Sequence, residues 1–484
     1  MKRASLAVFA LALPHIRALT VGTTPTLQIV VNPKLLPGEA VREGAYAALA
    51  ELEPEYPRFV PWFPYPHLSV FELDAPTDNQ TSWNFTLPDP LVLDFLDASI
   101  GHNPVVGFST IPVWMFQNTS NITIPEDPTE VFWNYNGGTE LVDPTGKQVG
   151  EYYARVASWY TQGGFTDELG VRHESGHHYD LPFWEVLNEP DSEHSTTPEQ
   201  YNVRYDAIVQ AVSAVSPNTE FIGLSLAQPG SGYSAFVPYF LNASNHAPGI
   251  PIDWISYHFY ATPANGTTVE DWQNTFFSQA DTFLETVSKI EEIRKDLSPS
   301  TRTMINEVGV ILATDNAPGD GVIPDAYWNA AGAMYAYLYV GITRLGLNGT
   351  IGQSQLVGYP SQFPSVSLVN WTDGSPNARF RVLQLLRTNI GPGDEILDDA
   401  DSPVGDLPDQ VIALPFTRAG ETQTKVLLVN HLLANTTATI NGAAGGTLQV
   451  VDLVSGSGPI RKENLTSDVV PLGGLSVTVV DLPA

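Results

Sequence analysis

Two glutamates stand where chemistry could be done. In Trp184-Glu185-Val186-Leu187-Asn188-Glu189-Pro190-Asp191 an apolar, strand-like run passes straight into Asn-Glu-Pro. That order places an amide and a carboxylate at a strand's C-terminal end, where barrel enzymes assemble their active sites. Asn and Pro also favour plain turns, so the motif alone carries little. The second glutamate, Glu307, sits in Thr303-Met304-Ile305-Asn306-Glu307-Val308-Gly309, near the end of another run that reads as buried strand. A charge there is costly without a partner or a role. Two carboxylates brought face to face are the minimal machinery for cleaving a glycosidic bond, one protonating the leaving oxygen and the other attacking or activating water. The pair is more specific than either half.

The surrounding chain must supply strands to hold them. From about residue 40 to 390, short β-like apolar runs alternate with amphipathic segments, the pattern of βα units. Strands are expected at Val105–Phe108, Phe183–Leu187, Phe221–Leu226, Trp254–Tyr260 and Thr303–Ile311. Their nearly continuous apolar character suits parallel strands covered on both faces. The sharpest helix signal is Thr197-Pro198-Glu199-Gln200, a capping box with Pro at the first position, running to Ser216-Pro217. Further helices are expected over Glu151–Tyr160, from Phe276 to Ile290, and over Ala326–Val340. No G-x-G-x-x-G is present, and the length of the alternation predicts an α/β fold, a (β/α)8 TIM barrel with long loops.

After Gly391-Pro392-Gly393-Asp394 the helix signals stop. Val411–Phe416, Lys425–Asn430, Thr447–Leu453 and Leu475–Leu482 read as short strands, so residues 395–484 are expected to form a β-sandwich domain. The early run Leu27–Val31 could be one of its strands. The catalytic barrel then spans 19–394. Residues 1–18, with Lys2 and Arg3, the apolar run Ala4–Leu13 and a small residue at Ala18, read as a signal peptide. Ten N-x-S/T sequons, at Asn79, Asn84, Asn118, Asn121, Asn242, Asn265, Asn348, Asn370, Asn435 and Asn464, agree with a secreted, extracellular protein carrying N-linked glycans.

Composition excludes several classes. The 484 residues carry 22 basic and 53 acidic side chains, a formal charge of -31. Such a chain repels phosphate backbones and anionic lipid, so neither nucleic acid nor a membrane is an expected partner. Cysteine is absent, so no disulfide or thiol chemistry is available. No G-x-S-x-G elbow or Walker loop appears. His173-Glu174-Ser175-Gly176-His177 matches the zinc-protease spacing, but that mechanism needs both histidines on one helix face. Gly176 and the lack of an apolar period predict a loop instead. No metal and no cofactor are expected.

On these residues the chain resembles the retaining glycoside hydrolases with a (β/α)8 barrel, and among them the β-xylosidase and α-L-iduronidase family, glycoside hydrolase family 39. The resemblance covers most of residues 60–310. It includes Trp83-Asn84-Phe85, Val106-Gly107-Phe108, the Trp184–Asp191 motif, Asp253-Trp254-Ile255-Ser256-Tyr257-His258 and Asn306-Glu307. It implies Glu189 as acid/base, Glu307 as nucleophile and Asn188 as the ligand of a sugar 2-hydroxyl. It also implies that His258, and His67 of Pro66-His67-Leu68, line the sugar site. A tyrosine, Tyr257 or Tyr260, could donate a hydrogen bond to the Glu307 anion.

Phe259-Tyr260 stands where iduronidases of the family carry basic residues, which with the acidic charge favours a neutral sugar. The expected substrate is therefore a glycan, an oligosaccharide or polysaccharide, with neutral terminal sugars. The expected activity is β-xylosidase-like, with arabinofuranosidase or galactosidase-like action as alternatives. A non-catalytic carbohydrate-binding protein on the same scaffold is the other open class. Trp62, Trp114, Trp133 and Trp371 are candidate stacking platforms.

Overall fold

A computed structural model describes residues 19–118, 122–135, 138–232, 235–315 and 323–483. The expected leader and Asn121 lie outside them. Eight parallel strands close a barrel: β1 (Thr23–Val30), β2 (Arg58–Val60), β3 (Val105–Val106), β4 (Phe183–Glu185), β5 (Glu220–Leu226), β6 (Trp254–Ala261), β7 (Arg302–Val310) and β8 (Gly349–Gln353). Each strand pairs with its sequence neighbours, and β1 closes on β8, with Thr23 opposite Gly349. A helix follows each strand: α1 (Ala40–Leu52), α2 (Pro88–Ala98), α3 (Lys147–Thr161), α4 (Pro198–Val215), α5 (Phe236–Phe240), α6 (Val269–Leu297), α7 (Asp325–Arg344) and α8 (Ala378–Asn389). This is the TIM barrel that the alternation predicts.

Local chemistry explains the element ends. The Thr197 side chain accepts from Gln200 N, and the Gln200 side chain accepts from Thr197 N, so the capping box starts α4 as the residues require. The expected stripe Phe276, Ala280, Phe283, Val287, Ile290 is buried along α6. At Gly223 in β5 any Cβ would run into the Phe240 ring, so glycine lets α5 lie directly on the strand.

The run Leu27–Val31 belongs to the barrel, not to the sandwich, and this corrects the alternative left open by its sequence. Every residue of β1 is buried. Its alternation of polar and apolar residues imitates a half-solvated strand. The polar members instead find partners inside: Gln28 Nε2 donates to Ser354 Oγ at 2.6 Å, and Thr26 Oγ1 donates to Tyr56 O at 2.6 Å.

The C-terminal region is a two-sheet sandwich. Six antiparallel strands, Glu395–Ile396, Val411–Thr417, Thr424–Asn430, Val477–Asp481, Thr447–Val451 and Arg461–Asn464, pair in that order, and Thr436–Thr439 pairs with Val469–Leu472 in the second sheet. Val426 and Leu428 face Ala438, Val470 and Leu472 inside the sandwich. Leu427 and Val429, on the opposite face, join the core shared with the barrel. Each such buried side chain contributes roughly 1.5–3 kcal/mol. Polar ties cross the same junction: Leu433 N donates to Gln273 Oε1 at 2.7 Å, and Arg344 Nη2 donates to Ala413 O at 2.5 Å.

Candidate active site

The C-terminal ends of the barrel strands surround a cavity of about 340 Å³. Asn188 and Glu189 reach it from the end of β4, Tyr260 from β6 and Glu307 from β7, with Trp62 forming part of the wall. The backbone is bent to present them. Leu187 and Glu189 have φ of 66° and 42°, and Leu224 and Ser225 at the end of β5 have φ of 77° and 48°. Non-glycine residues avoid this left-handed region, so the arrangement persists only because surrounding bonds hold it. One is Glu189 N donating to Ser225 O at 3.0 Å. Another is Asp191, whose carboxylate accepts from Ala227 N and Gln228 N at 3.0 and 3.1 Å, tying the two strand ends together.

Beneath the cavity lies Arg58, fully buried at the start of β2. Its guanidinium contacts Glu185 Oε2 and Glu307 Oε1, both at 2.5 Å, and donates to Asn188 Oδ1 at 2.8 Å and to Gln28 Oε1. All faces of the planar fork are thereby used. Burial works against the arginine's charge, but Glu185 and Glu307 outweigh it and hold the proton more tightly than usual. Glu185 in turn accepts from Ser256 Oγ at 2.6 Å and Asn306 Nδ2 at 2.5 Å.

The two catalytic-type carboxyl groups sit in opposite environments. Burial raises the Glu307 carboxyl, but His258, Arg58 and the Tyr260 hydroxyl, which donates to Oε2 at 2.6 Å, together bring it below its ordinary value. Glu189 is raised: its burial and the Glu307 charge outweigh the pull of His258, whose Nδ1 lies 2.7 Å from Oε1. One oxygen of Glu189, one of Glu307 and a nitrogen of His258 lie within 4.8 Å of one another. A site so built favours the proton on Glu189 over Glu307 and the anion on Glu307, the division that acid and nucleophile roles require. The same spacing would admit a cation, but Arg58 already neutralises Glu307. The donor set is that of a guanidinium-paired carboxyl site.

The residues expected from the sequence divide as follows. Glu189, Glu307, Asn188 and Tyr260 come together on the cavity wall, and of the two tyrosines it is Tyr260 that reaches Glu307. His258, expected to line the sugar site, is instead buried behind the wall with its nitrogens on Glu189 and Ser225. Tyr257 is buried, and among the described residues its hydroxyl meets no hydrogen-bond partner. His67 is a correction: it lies in the short helix Pro66–Ser69, away from the cavity lining, with Nε2 2.8 Å from Pro125 O. The chain leaves β2 at Val60, and Trp62 takes the wall position, so the later histidine is carried past the mouth. Of the four tryptophans, Trp62 lines the cavity and Trp133 packs edge-on against it at 5.3 Å. Trp114 donates to Glu72 O, and Trp371 lines a separate groove with Tyr359.

Arg58, Glu185 and Glu193 were not expected. A lone Arg in Pro57-Arg58-Phe59-Val60 and a lone Glu in Trp184-Glu185-Val186 were the available signal, because a buried cation and a buried anion each need the other. The zinc-like segment is no helix: Arg172–Glu174 pairs antiparallel with Gly164–Thr166. His173 takes Asp167 at 2.9 Å while His177 faces Asp89 at 3.6 Å, so the two rings serve different carboxylates.

The family described as Glycosyl hydrolases family 39 matches residues 174–318, the stretch that carries both Glu189 and Glu307. No curated relative matches the chain. Among solved structures the fold is similar to a GH30 endoxylanase from Clostridium papyrosolvens C71 (TM-score 0.56, 14% identity, 97% of this chain and 98% of that one). It is also similar to a family 51 α-L-arabinofuranosidase from Bifidobacterium longum (0.61, 14%, 96% and 98%). A family 39 glycoside hydrolase from Bacteroides cellulosilyticus WH2 matches too (0.58, 15%, 95% and 81%). The structural likenesses establish the shared barrel-and-sandwich fold. The family match over the carboxylate-bearing strands makes this chain a glycoside hydrolase.

Proposed function

We propose that this protein is a secreted, retaining glycosidase that removes terminal neutral sugars, β-xylosidase-like in its specificity, without a cofactor. The observation that carries the reading is the close approach of the Glu189 and Glu307 oxygens, within 4.8 Å. Retaining enzymes hold their carboxyl groups about 5–5.5 Å apart, whereas inverting enzymes need about 6.5–9.5 Å to seat a water between them. In the first step Glu307 attacks the anomeric carbon, and the C–O bond to the leaving group breaks as Glu189 gives that oxygen its proton. In the second, water attacks the glycosyl-enzyme while Glu189 takes a proton back, and Glu307 leaves as the carboxylate.

The choice of sugar follows from charge. The described cavity lining contains no lysine or arginine, and Arg58 below it is spent on Glu185, Glu307, Asn188 and Gln28. A uronic carboxylate would find no cationic partner in that lining. Asn188 stands beside the carboxyl pair and lines the cavity as a ligand for a sugar hydroxyl, while His258, buried behind it with its nitrogens on Glu189 and Ser225, holds the acid in place. Two neighbours described as an endoxylanase and an α-L-arabinofuranosidase favour xylose or arabinose residues.

The test is a panel of aryl glycosides with Glu189→Gln and Glu307→Gln, together with the anomeric form of the first product. Both variants should lose at least a hundredfold in turnover, and the product should keep its configuration. Wild-type-like turnover by either variant on an active substrate would overturn the roles, and an inverted product would overturn the mechanism.

Secretion and glycosylation rest on the leader-like N-terminus and on exposure. All nine described sequon asparagines are exposed. The eight asparagines buried among the described residues, such as Asn188 and Asn306, lie in no sequon. Protein secreted from a eukaryotic host should begin near Leu19 and lose mass on enzymatic deglycosylation. An intact N-terminus or an unmodified chain would count against this part.

A further inference from the structure

The loop after the Asn-Glu-Pro turn folds back on itself. Ser192 N and Glu193 N both donate to Glu189 O, at 2.9 and 2.8 Å, which returns the Glu193 side chain to the strand end it has just left. There a single oxygen, Glu193 Oε1, accepts from Asn188 Nδ2 at 2.8 Å and from Trp62 Nε1 at 2.6 Å. These donors come from two different strand ends, and both line the cavity. Asn188 is thereby fixed at each end of its amide: its oxygen accepts from Arg58 and its nitrogen donates to Glu193. One amide hydrogen remains for a substrate hydroxyl. Trp62, held at its indole nitrogen, packs edge-on against Trp133 and lies 6.1 Å from the Phe363 ring, so the same bond sets the plane of the aromatic wall.

We propose that Glu193 is a positioning residue of the reaction, which orients the Asn188 amide and the Trp62 indole together through one carboxyl oxygen. This rests on the reading of Glu189 and Glu307 as the reacting pair. The chemistry asks only for an acceptor oxygen at that point. A further negative charge at this point would oppose the anion on Glu307, and burial together with Glu189 and Glu307 keeps the Glu193 carboxyl well above its ordinary range. A neutral carboxyl still accepts from both donors. Its loss would loosen the substrate's contacts before it touched proton transfer, so the effect belongs mainly in KM.

The experiment compares Glu193→Ala, Glu193→Gln and Trp62→Phe on the best substrate, with Tm measured for each. Glu193→Ala should lower kcat/KM by about tenfold to a hundredfold, mostly through KM. Glu193→Gln keeps the acceptor oxygen and should stay within about fivefold of wild type with an unchanged pH profile. Trp62→Phe keeps an aromatic wall, loses the donor, and should raise KM. In the double variant Trp62→Phe/Glu193→Ala the effects should fall short of the sum, as expected of contacting groups. A Glu193→Gln enzyme as impaired as Glu193→Ala overturns the proposal, because the proton would then matter. Wild-type kcat and KM in Glu193→Ala, or unchanged KM in Trp62→Phe should the alanine variant not fold, overturn it too. If Glu189→Gln and Glu307→Gln remain active, the reading of the pair fails by itself.

Discussion

His258 Nδ1 lies 2.7 Å from Glu189 Oε1 and 3.5 Å from Glu307 Oε2, with the ring wholly buried between the two carboxyl groups. One imidazole therefore holds down the proton affinity of both. Burial opposes charge on the ring, but Glu307 and Glu189 outweigh it and raise the histidine above its ordinary value.

Removing that ring has a signed consequence. His258 lowers both Glu189 and Glu307, so His258→Ala should raise both. The acid limb of kcat/KM, set by ionisation of Glu307, and the alkaline limb, set by deprotonation of Glu189, should both move to higher pH. A pH-rate profile checks this, and a shift of either limb to lower pH would contradict it.

Arg58 is the charge on which the site's floor depends. Arg58→Met leaves Glu185 and Glu307 buried without their partner and should cost about 3–5 kcal/mol of stability, measured by denaturant unfolding. Arg58→Lys should also lose activity. A single ammonium cannot serve Glu185, Glu307, Asn188 and Gln28 from one plane as the fork does.

Tyr260→Phe isolates one bond. The hydroxyl stands 2.6 Å from both Glu307 Oε2 and Ser354 Oγ. Its loss should reduce kcat about tenfold to a hundredfold and move the acid limb upward, since the bond favours the Glu307 anion. Tm should change far less than in Arg58→Met.

Away from the cavity, Glu72 is buried, and among the described residues no side chain hydrogen-bonds or ion-pairs with its carboxyl. Burial first, then Glu168, pushes its carboxyl up to about 8. The folded state thus binds this proton more tightly than the unfolded chain. The stability it contributes is present below about pH 4.5 and lost as pH rises through about 8. Glu72→Gln should therefore raise Tm at pH 8 and change it little at pH 4. Equal effects at both pH values would refute this.

The zinc-like spacing at His173 and His177 gives a fifth check. With the two rings on Asp167 and Asp89, glycosidase activity should survive exhaustive treatment with a chelator. Loss of activity restored by zinc would mean the segment has another arrangement.

Much of this was legible in the residues themselves. Thr197, Pro198 and Gln200 specify a helix start by hydrogen bonds among near neighbours, and α4 begins there. The apolar runs ending in Asn188-Glu189 and in Glu307 determine two buried strands, because alternation and burial are properties of local sequence. The Asn-Glu-Pro motif and the second glutamate followed from the same local reading.

What only the tertiary structure decided is which distant residues share a point in space. Gln28, Arg58, Asn188, Glu193 and Glu307 meet because barrel closure sets β1 beside β8 and aims several strands at one axis. Gln28 therefore turns inward, and Leu27–Val30 joins the barrel although its alternation suits a sandwich strand equally well. His67 is carried past the mouth while Trp62 stays. Sequence determines the carboxyl groups available to the chemistry. Their opposite proton affinities arise from burial and from charges tens to hundreds of residues away, which no local pattern encodes.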